Sequence, residues 1–428
     1  MGMAGTEAKT PSWARTVGVA AAACLIYALS CGIRSNYGVL LSPIAETTGL
    51  AVETVSFVVA VAQLVFGIMQ PVFGFVALRT GGVLVLRVGA VLMAAGLVAI
   101  PFCRSLWMLM AALGLALPAG TAALSYGLIM GLITPQLPRR VVPGVSGLVN
   151  ASSGIGGTLL SLALQALVTG VGLLGAMVFV AVPTLLLLPL TFVLARSARG
   201  EGGGPGEPAP RQEDAAGDAA AGEAGAAGAE AVAPAPALGS LLRAAVHEPD
   251  YLLLLAGFFT CGFHMAIIET HLYTQITVLG FTGSTAALAF SVYGVATMAG
   301  SVASGLLCGR MPMGRVLAGL YGARMAIVLA FLAAPKSLAT VFAFAILLGL
   351  TGSATVPPTS GLTERLFGAA SLATLFGIVF LSHQVGSFFS AWLGGVCLSA
   401  TGGYALIWLV DAAFCAVAAI LSSRIRTR

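Results

Sequence analysis

The stretch Cys261–His271 places two histidines and one glutamate inside an apolar run that is long enough to cross a lipid bilayer. An ionised side chain at the centre of a membrane helix costs roughly 2.5–3.5 kcal/mol on insertion scales. Glu269 therefore needs an ionic partner, a water-filled space or a proton. His264 and His271 add imidazoles, which titrate near neutral pH. These three residues are candidates for proton coupling, and static pairing of Glu269 is the alternative.

Arg34 lies in an earlier apolar run, three residues after Cys31, just as His264 lies three residues after Cys261. A guanidinium binds a carboxylate through two hydrogen bonds and stays charged, so it suits a fixed anchor. We predict that Arg34 holds an anionic substrate, with donors from its neighbours Asn36 and Tyr37. The alternatives are a cap on backbone carbonyls, a pair between helices, or a side chain that reaches the outer surface.

Helical geometry limits which of these groups share a face. His264 and His271 are seven residues apart and share one, whereas Glu269 is about 140° away from His264 at 3.6 residues per turn. Because Cys261-Gly262 matches Cys31-Gly32, His264 aligns with Arg34, and we expect the histidine face to line a central cavity. Glu269 then meets a neighbouring helix, with Arg324 as a candidate partner.

The two remaining charges inside apolar runs are Arg324 and Asp411. We predict that they form a structural ion pair. A third group of polar residues, on runs that are equivalent in the repeat, is expected to complete a ring around the substrate: Asn150, His383 and Gln384. Hydrogen bonding between helices is the alternative for this group.

The composition defines the class of protein. The chain has 428 residues, of which 58% are hydrophobic and 8% charged, and its mean hydropathy is +1.01. These values exclude an ordinary soluble domain and predict a polytopic membrane protein. The seven cysteines lack metal-ligand spacing, and the glycine-rich strings lack a Walker lysine. We therefore expect no metal, no nucleic-acid partner and no enzymatic site.

Twelve apolar runs of bilayer length predict twelve spans in an all-α protein. With the N-terminus in the cytoplasm, sixteen basic residues fall on the inside and two, Arg104 and Lys336, on the outside. This asymmetry places both termini in the cytoplasm. The predicted organisation is a tail (1–15), a six-helix bundle (16–195), a linker (196–248), a second bundle (249–423) and a tail (424–428).

The middle of the linker, residues 200–238, is rich in Ala, Gly and Pro and carries seven acidic residues against Arg211. Such a composition predicts disorder. The bundles on either side repeat one pattern at an offset of 230–232 residues, with five matches. Cys31-Gly32 matches Cys261-Gly262, Gly49 matches Gly280, and Gly74-x4-Arg79 matches Gly305-x4-Arg310. The set Gly147, Ser152 and Gly156 matches Gly377, Ser382 and Gly386, and Thr169-Gly170 matches Thr401-Gly402. A parallel repeat of this kind is found in one large class of transporters, with a binding site between the halves.

The segment Gly74-Phe75-Val76-Ala77-Leu78-Arg79-Thr80-Gly81 resembles the loop between spans 2 and 3 of the major facilitator superfamily, although Leu78 replaces its acidic residue. The segment 147–156, after Arg139-Arg140, is similar to bacterial relatives of the monocarboxylate and oxalate/formate porters. The charged pair that monocarboxylate porters carry in span 8 is absent, as is the lysine of oxalate exchangers in span 11.

The resemblance implies a 6+6 pseudo-twofold architecture and a secondary transporter of a small, monocarboxylate-like anion in the bacterial inner membrane. It is expected to work by proton symport and alternating access, with no cofactor beyond the proton gradient. Arg34 would hold the carboxylate, His264 and His383 would relay protons, and Glu269 would sense pH. One alternative is a proton-coupled exporter of lipophilic or cationic compounds. Another is a membrane receptor or scaffold that does not transport.

Overall fold

The computed structural model describes residues 13–138, 141–199 and 238–426, which fold into helices joined by short turns. Residues 1–12 of the predicted tail, Arg139 and Arg140, the linker residues 200–237 and the last two residues lie outside the described part. Within these described ranges there is no β-strand. The predicted all-α architecture is confirmed.

The first half of the chain contains spans 1 to 6. Span 1 is interrupted at Asn36, and span 4 is divided into several short helices. The bounds are Trp13–Ser35 and Tyr37–Thr48 (span 1), Val52–Thr80 (span 2), Gly82–Ala99 (span 3), Leu106–Ile133 (span 4) and Val142–Arg199 (spans 5 and 6).

The second half contains spans 7 to 12, preceded by a short helix, Leu238–His247. Span 7 includes one turn of π-helix, Ile268–Leu272, and span 10 is broken at Gly352. The bounds are Pro249–Ile267 and Tyr273–Val278 (span 7), Gly283–Cys308 (span 8), Met313–Ala333 (span 9), Leu338–Thr351 and Val356–Phe367 (span 10), Ala369–Thr401 (span 11) and Ala405–Ser423 (span 12).

Eleven of the described helical segments are long and apolar enough to cross a membrane. One of them, Gly147–Thr191, has 45 residues and reverses direction at Gly172, where φ is 71°, so it contains two crossings. This gives twelve spans. Gly402 has a φ of 70° at the equivalent turn, a backbone conformation that favours glycine because it lacks a Cβ. The repeat therefore matches Gly402 with Gly172, 230 residues earlier, and not with Gly170 as predicted.

The internal repeat is visible in how the helices cross. A Cβ added to Gly32 in span 1 would meet the carbonyl of Gly156 in span 5. Their repeat partners make the same kind of crossing, because a Cβ on Gly262 in span 7 would meet a carbonyl of span 11, and one on Gly386 in span 11 a carbonyl of span 7. Glycine permits this close approach of two backbones in a membrane.

Spans 4 and 10 are broken near their prolines. Helix Leu117–Ala123 begins beside Pro118, and helix Val356–Phe367 begins at the pair Pro357-Pro358. Proline lacks an N–H, so carbonyls of the preceding turn lose their helical donor. In a membrane these carbonyls need other donors.

The two ends of the bundle are distinguished by their loops. We call the end with Trp13, Arg199 and Pro249 the linker end, and the end with the turns at Gly49, Gly172, Gly280 and Gly402 the distal end. The halves meet where span 2 packs against span 11 and where span 5 packs against span 8.

Helix Leu238–His247 occupies part of the predicted linker. Its residues Leu241 and Ala245, four positions apart, are buried in one cluster with Tyr251 and Leu254 of span 7. The spacing of Leu241 and Ala245, four residues apart, is the feature of the sequence that indicates this helix. The helix directly follows a segment of low complexity. The predicted domain boundaries remain predictions.

Candidate functional site

Arg34 and Glu269 form an ion pair between the two halves of the molecule. Nη1 of Arg34 lies 3.0 Å from Oε2 of Glu269, and Nη2 lies 3.4 Å from Oε1. Two donors thus face two carboxylate oxygens, which is the geometry in which a guanidinium binds a carboxylate most specifically. Any other carboxylate that binds Arg34 in this way must displace Glu269.

Local helix irregularities position both side chains. Arg34 lies in the last turn of Trp13–Ser35, just before the interruption at Asn36. Glu269 lies in the π-helical turn of span 7. Such turns are rare in α-helices and are frequent at functional sites. The expected contact of Glu269 with Arg324 is wrong, because Glu269 faces span 1.

Several donors around the pair have no hydrogen-bond partner within the described residues. They are Nε of Arg34, Nε2 of Gln63 and the hydroxyl of Tyr37. Gln63 also accepts from Arg34 at 3.5 Å through Oε1, and the ring of Phe66 lies 5.1 Å from the guanidinium carbon. Buried donors of this kind are costly unless something binds them.

The pair is accessible from one side only. Side-chain exposure is 21% for Arg34 and 10% for Glu269. Toward the distal end, the residues that follow or flank the pair in spans 1 and 7 are inaccessible to solvent, because all of Asn36–Leu41 and Ala266–Ile276 are buried. Toward the linker end, the neighbouring side chains are only partly buried: Tyr27, Cys31, Phe66 and Gln70.

Contacts between the halves close the distal end. Phe57 of span 2 packs edge-on against Phe388 and Trp392 of span 11, with ring centroids 6.3 and 5.6 Å apart. On the other side of the molecule, Tyr273 of span 7 donates to Gln165 of span 5. The halves are therefore in contact at the distal end, and the partly exposed side of the pair is the one toward the linker end.

His264 points away from the boundary between the halves. It is fully buried, and its Nδ1 lies 2.7 Å from Oδ2 of Asp411 in span 12. The expectation that the histidine face lines a central cavity is wrong. His264 and Glu269 do face different neighbours, but it is Glu269 that faces the other half.

The predicted ion pair of Arg324 with Asp411 is also wrong. Nη2 of Arg324 donates to the carbonyls of Thr351 at 2.6 Å and Gly352 at 2.5 Å. Those carbonyls lie at the break in span 10, where the helical ladder ends, and a cation near a helix C-terminus is favourable. Asp411 is bound by His264 instead.

His271 is a satisfied core residue. It is buried, its Nδ1 lies 3.2 Å from the hydroxyl of Tyr404, and its Nε2 lies 2.8 Å from the carbonyl of Ala391. Both ring nitrogens are therefore engaged within the second half. The structure brings His271 to neither Arg34 nor Glu269.

A chain of hydrogen bonds extends from the ion pair to span 11. Gln384 donates to the backbone carbonyl of Gln63 at 2.9 Å, and its Oε1 lies 3.0 Å from Nδ1 of His383. His383 stacks on Phe380, with centroids 5.4 Å apart. Gln384 and His383 are thus linked to Arg34 through Gln63.

Three other predicted substrate contacts have different positions. Asn36 is buried and donates to the carbonyls of Gly32 and Gly157, so it joins spans 1 and 5. Tyr37 is buried one turn beyond Arg34 toward the distal end, and its hydroxyl has no hydrogen-bond partner within the described residues. Asn150 is exposed nearer the linker end. The structure does not bring Asn150 to the pair.

One group of side chains has the composition of a metal site. Ligand atoms of His264, Asp411 and Cys415 lie within 4.8 Å of one another. However, His264 already binds Asp411 through Nδ1, and its other ring nitrogen points away from that carboxylate. This geometry is typical of a buried hydrogen-bonded pair.

Sequence reasoning missed Gln63, which touches both Arg34 and Gln384. The feature of the sequence that could have indicated Gln63 is a polar amide within the apolar run of span 2. It also missed Phe66, one turn further along, for which the sequence gives no signal beyond an ordinary membrane-helix residue.

The comparisons with known proteins agree with this architecture. The family profile described as Major Facilitator Superfamily matches residues 23–337. The MFS-type transporter YcxA of Bacillus subtilis (strain 168) is 32% identical over 177 residues, which are 40% of this chain and 42% of that protein. Monocarboxylate transporter 11 of Mus musculus is 28% identical over 409 residues, 92% of this chain and 84% of that protein.

Among solved structures, the fold is similar to a bacterial homolog of the human lysosomal transporter Spinster, in an inward-facing and unoccupied conformation. The TM-score is 0.72 at 15% identity, over 97% of this chain and 98% of that one. Family and fold are those of transporters and not of enzymes. The chain belongs to the Major Facilitator Superfamily.

Proposed function

We propose that this protein is a secondary transporter that moves a small organic anion, a monocarboxylate, together with a proton. The observation that carries this proposal is the bidentate pair of Arg34 and Glu269 between the two halves. A substrate carboxylate takes the place of Glu269 on the guanidinium.

Charge balance links the substrate to a proton. Two carboxylates on one guanidinium leave a net negative charge in a site of low dielectric constant, which is costly. Protonation of Glu269 restores neutrality, because the bound anion then replaces the charge that Glu269 loses. One carboxylate and one proton therefore bind together, and the loaded site carries the same net charge as the empty one.

The donors without partners support the binding step. Nε2 of Gln63 and the hydroxyl of Tyr37 lie beside the pair and are buried. A bound carboxylate supplies acceptors that these groups lack. The name of the mouse relative, a monocarboxylate transporter at 28% identity, supports the same class of substrate.

The open side of the molecule supports alternating access. Basic residues are concentrated at the linker end, and the positive-inside rule then places this end and both termini in the cytoplasm. In this proposal, the described conformation is the inward-open state of a transporter of the bacterial inner membrane. The contacts of Phe57 and of Tyr273 at the distal end break in the outward-open state.

Arg34 argues against the proposed alternative of a cation exporter. A cationic substrate requires an acid that is free to pair with it. Here the carboxylate of Glu269 is already neutralised by a guanidinium that stays charged at every physiological pH.

Transport assays in proteoliposomes test the proposal. Purified protein is reconstituted, an inward pH gradient is imposed, and the uptake of a panel of labelled mono- and dicarboxylates and lipophilic cations is measured. We expect proton-driven uptake of a monocarboxylate, which is lost in Arg34→Gln and kept in the matched control Arg104→Gln, an exposed loop arginine. Uptake of cations only, or full activity of Arg34→Gln, would overturn the proposal.

A further inference from the structure

Helix Leu238–His247 carries three distinct stripes along its length. Leu241 and Ala245 are buried against the protein. Leu242 and Val246 are apolar and exposed, at 37% and 58%. Arg243 and His247 are exposed and basic. Each stripe repeats every four residues, so each runs along one face of the helix.

The order of the stripes around the helix has a physical meaning. At about 100° per residue, the apolar stripe lies next to the buried one, and the basic stripe follows it. Ser240 and Ala244 complete the circle and, with Arg243 and His247, border a shallow hollow on the surface. A helix of this pattern lies along a membrane interface, with its apolar stripe in the acyl region and its basic stripe at the headgroups.

The surroundings extend the basic surface. Ile425, just beyond span 12, belongs to the same buried cluster as Leu241. Arg424 and Arg426, on either side of it, are exposed. The helix thus lies at the level where span 7 begins and span 12 ends, beside two exposed arginines, Arg424 and Arg426.

From this arrangement we propose that helix Leu238–His247 and the end of span 12 form a binding surface for an anionic phospholipid, whose headgroup phosphate is held by Arg243 and His247. A phospholipid satisfies both stripes, because its acyl chains cover Leu242 and Val246 while its phosphate meets Arg243 and His247. The acidic linker of the same chain has charges for Arg243 but few apolar side chains to cover Leu242 and Val246. The proposal does not depend on the substrate of the transporter.

The test uses native mass spectrometry of the full chain in detergent, with phosphatidylglycerol and phosphatidylcholine as competing probes. We expect the wild type to retain phosphatidylglycerol preferentially. Arg243→Gln should weaken this retention about fivefold, the effect of one basic residue at an anionic surface. The control Arg310→Gln removes an exposed arginine at the linker end of span 8 and should change nothing.

Further experiments distinguish binding of the intact lipid from binding of a free phosphate and from an effect of the linker. Glycerol phosphate should not compete with the intact lipid, and Leu242→Ser with Val246→Ser should weaken retention even though the basic residues remain. Deletion of residues 200–237 should leave the preference unchanged. Equal retention of both lipids by the wild type, full retention by Arg243→Gln with His247→Gln, competition by glycerol phosphate, or loss of the preference on deletion would each overturn the proposal.

Discussion

Arg34 and Glu269 are 235 residues apart in the chain, yet the guanidinium of one meets the carboxylate of the other at 3.0 Å. Each residue belongs to a different half of an internally repeated protein. The pair therefore joins the two halves, and in the proposed function Glu269 occupies the position that the substrate carboxylate takes. This double role predicts how variants of the site behave.

Glu269→Gln imitates the protonated acid. We expect this variant to bind and exchange the carboxylate, because Arg34 is left without a competing carboxylate. Its affinity should no longer depend on pH, and a proton gradient should no longer drive accumulation. Counterflow and gradient-driven uptake measured side by side check this, with Glu46→Gln, an exposed acid near the distal end of span 1, as the control. Gradient-driven accumulation by Glu269→Gln would contradict the proposed coupling.

Arg34→Lys keeps the positive charge but removes the planar guanidinium, with its paired N–H donors. A lysine ammonium cannot donate two parallel hydrogen bonds to one carboxylate. We expect the KM for the substrate to rise at least about tenfold, since the loss of one charge-assisted hydrogen bond is worth roughly 1.5–3 kcal/mol. An unchanged KM would mean that the guanidinium does not contact the substrate.

Electrical neutrality of the cycle is a further consequence. If one proton accompanies each monocarboxylate, no net charge crosses the membrane. Uptake at a fixed pH gradient should then be the same at zero potential and at an imposed potential of either sign. Valinomycin with potassium gradients sets the potential in proteoliposomes. A strong dependence on potential would refute a stoichiometry of one to one.

Arg324 and Asp411 should act independently on stability. Arg324 binds the broken end of span 10, whereas Asp411 binds His264. Asp411→Ala leaves His264 without its partner, and loss of one member of a buried pair costs about 3–5 kcal/mol. In a double-mutant cycle of Arg324→Met and Asp411→Ala, the interaction energy should stay within about 0.5 kcal/mol. A larger coupling would restore the direct pair that the sequence suggested.

The crossing of spans 7 and 11 predicts a contrast between two glycines. A methyl group on Gly262 meets the carbonyl of His383, whereas one on Gly377 meets no atom within 4 Å. Overpacking costs about 1–3 kcal/mol, so Gly262→Ala should lower the melting temperature and Gly377→Ala should not. Equal tolerance of both changes would show that the crossing is not tight.

The sequence predicted the spans, the repeat and the two partners of the central pair, but not their pairing. Hydropathy and basic residues determine where a helix crosses, and both are visible along the chain. The face that a helix turns toward its neighbour depends on packing and, in span 7, on a π-helical turn that no periodicity indicated. For the same reason the sequence wrongly predicts that Glu269 contacts Arg324 and that His264 lines the cavity.

The glycines show the same limit. Gly156 and Gly386 lie at close crossings, as their positions in the repeat suggested, while Gly147 and Gly377 have no neighbour within 4 Å at the added Cβ. Glycines at matched positions therefore behave alike in the two halves, but the residue type alone does not show which pair lies at a close crossing. Gln63 was not predicted as a site residue, because a single amide in an apolar run does not indicate which side chains contact it. In the structure it contacts Arg34 and Gln384.

The most direct test of the central claim counts protons during substrate binding. Isothermal titration calorimetry of the purified protein, repeated in buffers that differ in ionisation enthalpy, measures the proton uptake per carboxylate bound. We predict about one proton for the wild type near neutral pH and none for Glu269→Gln, which should still bind. Carboxylate binding without proton uptake in the wild type, or equal uptake in Glu269→Gln, would contradict it.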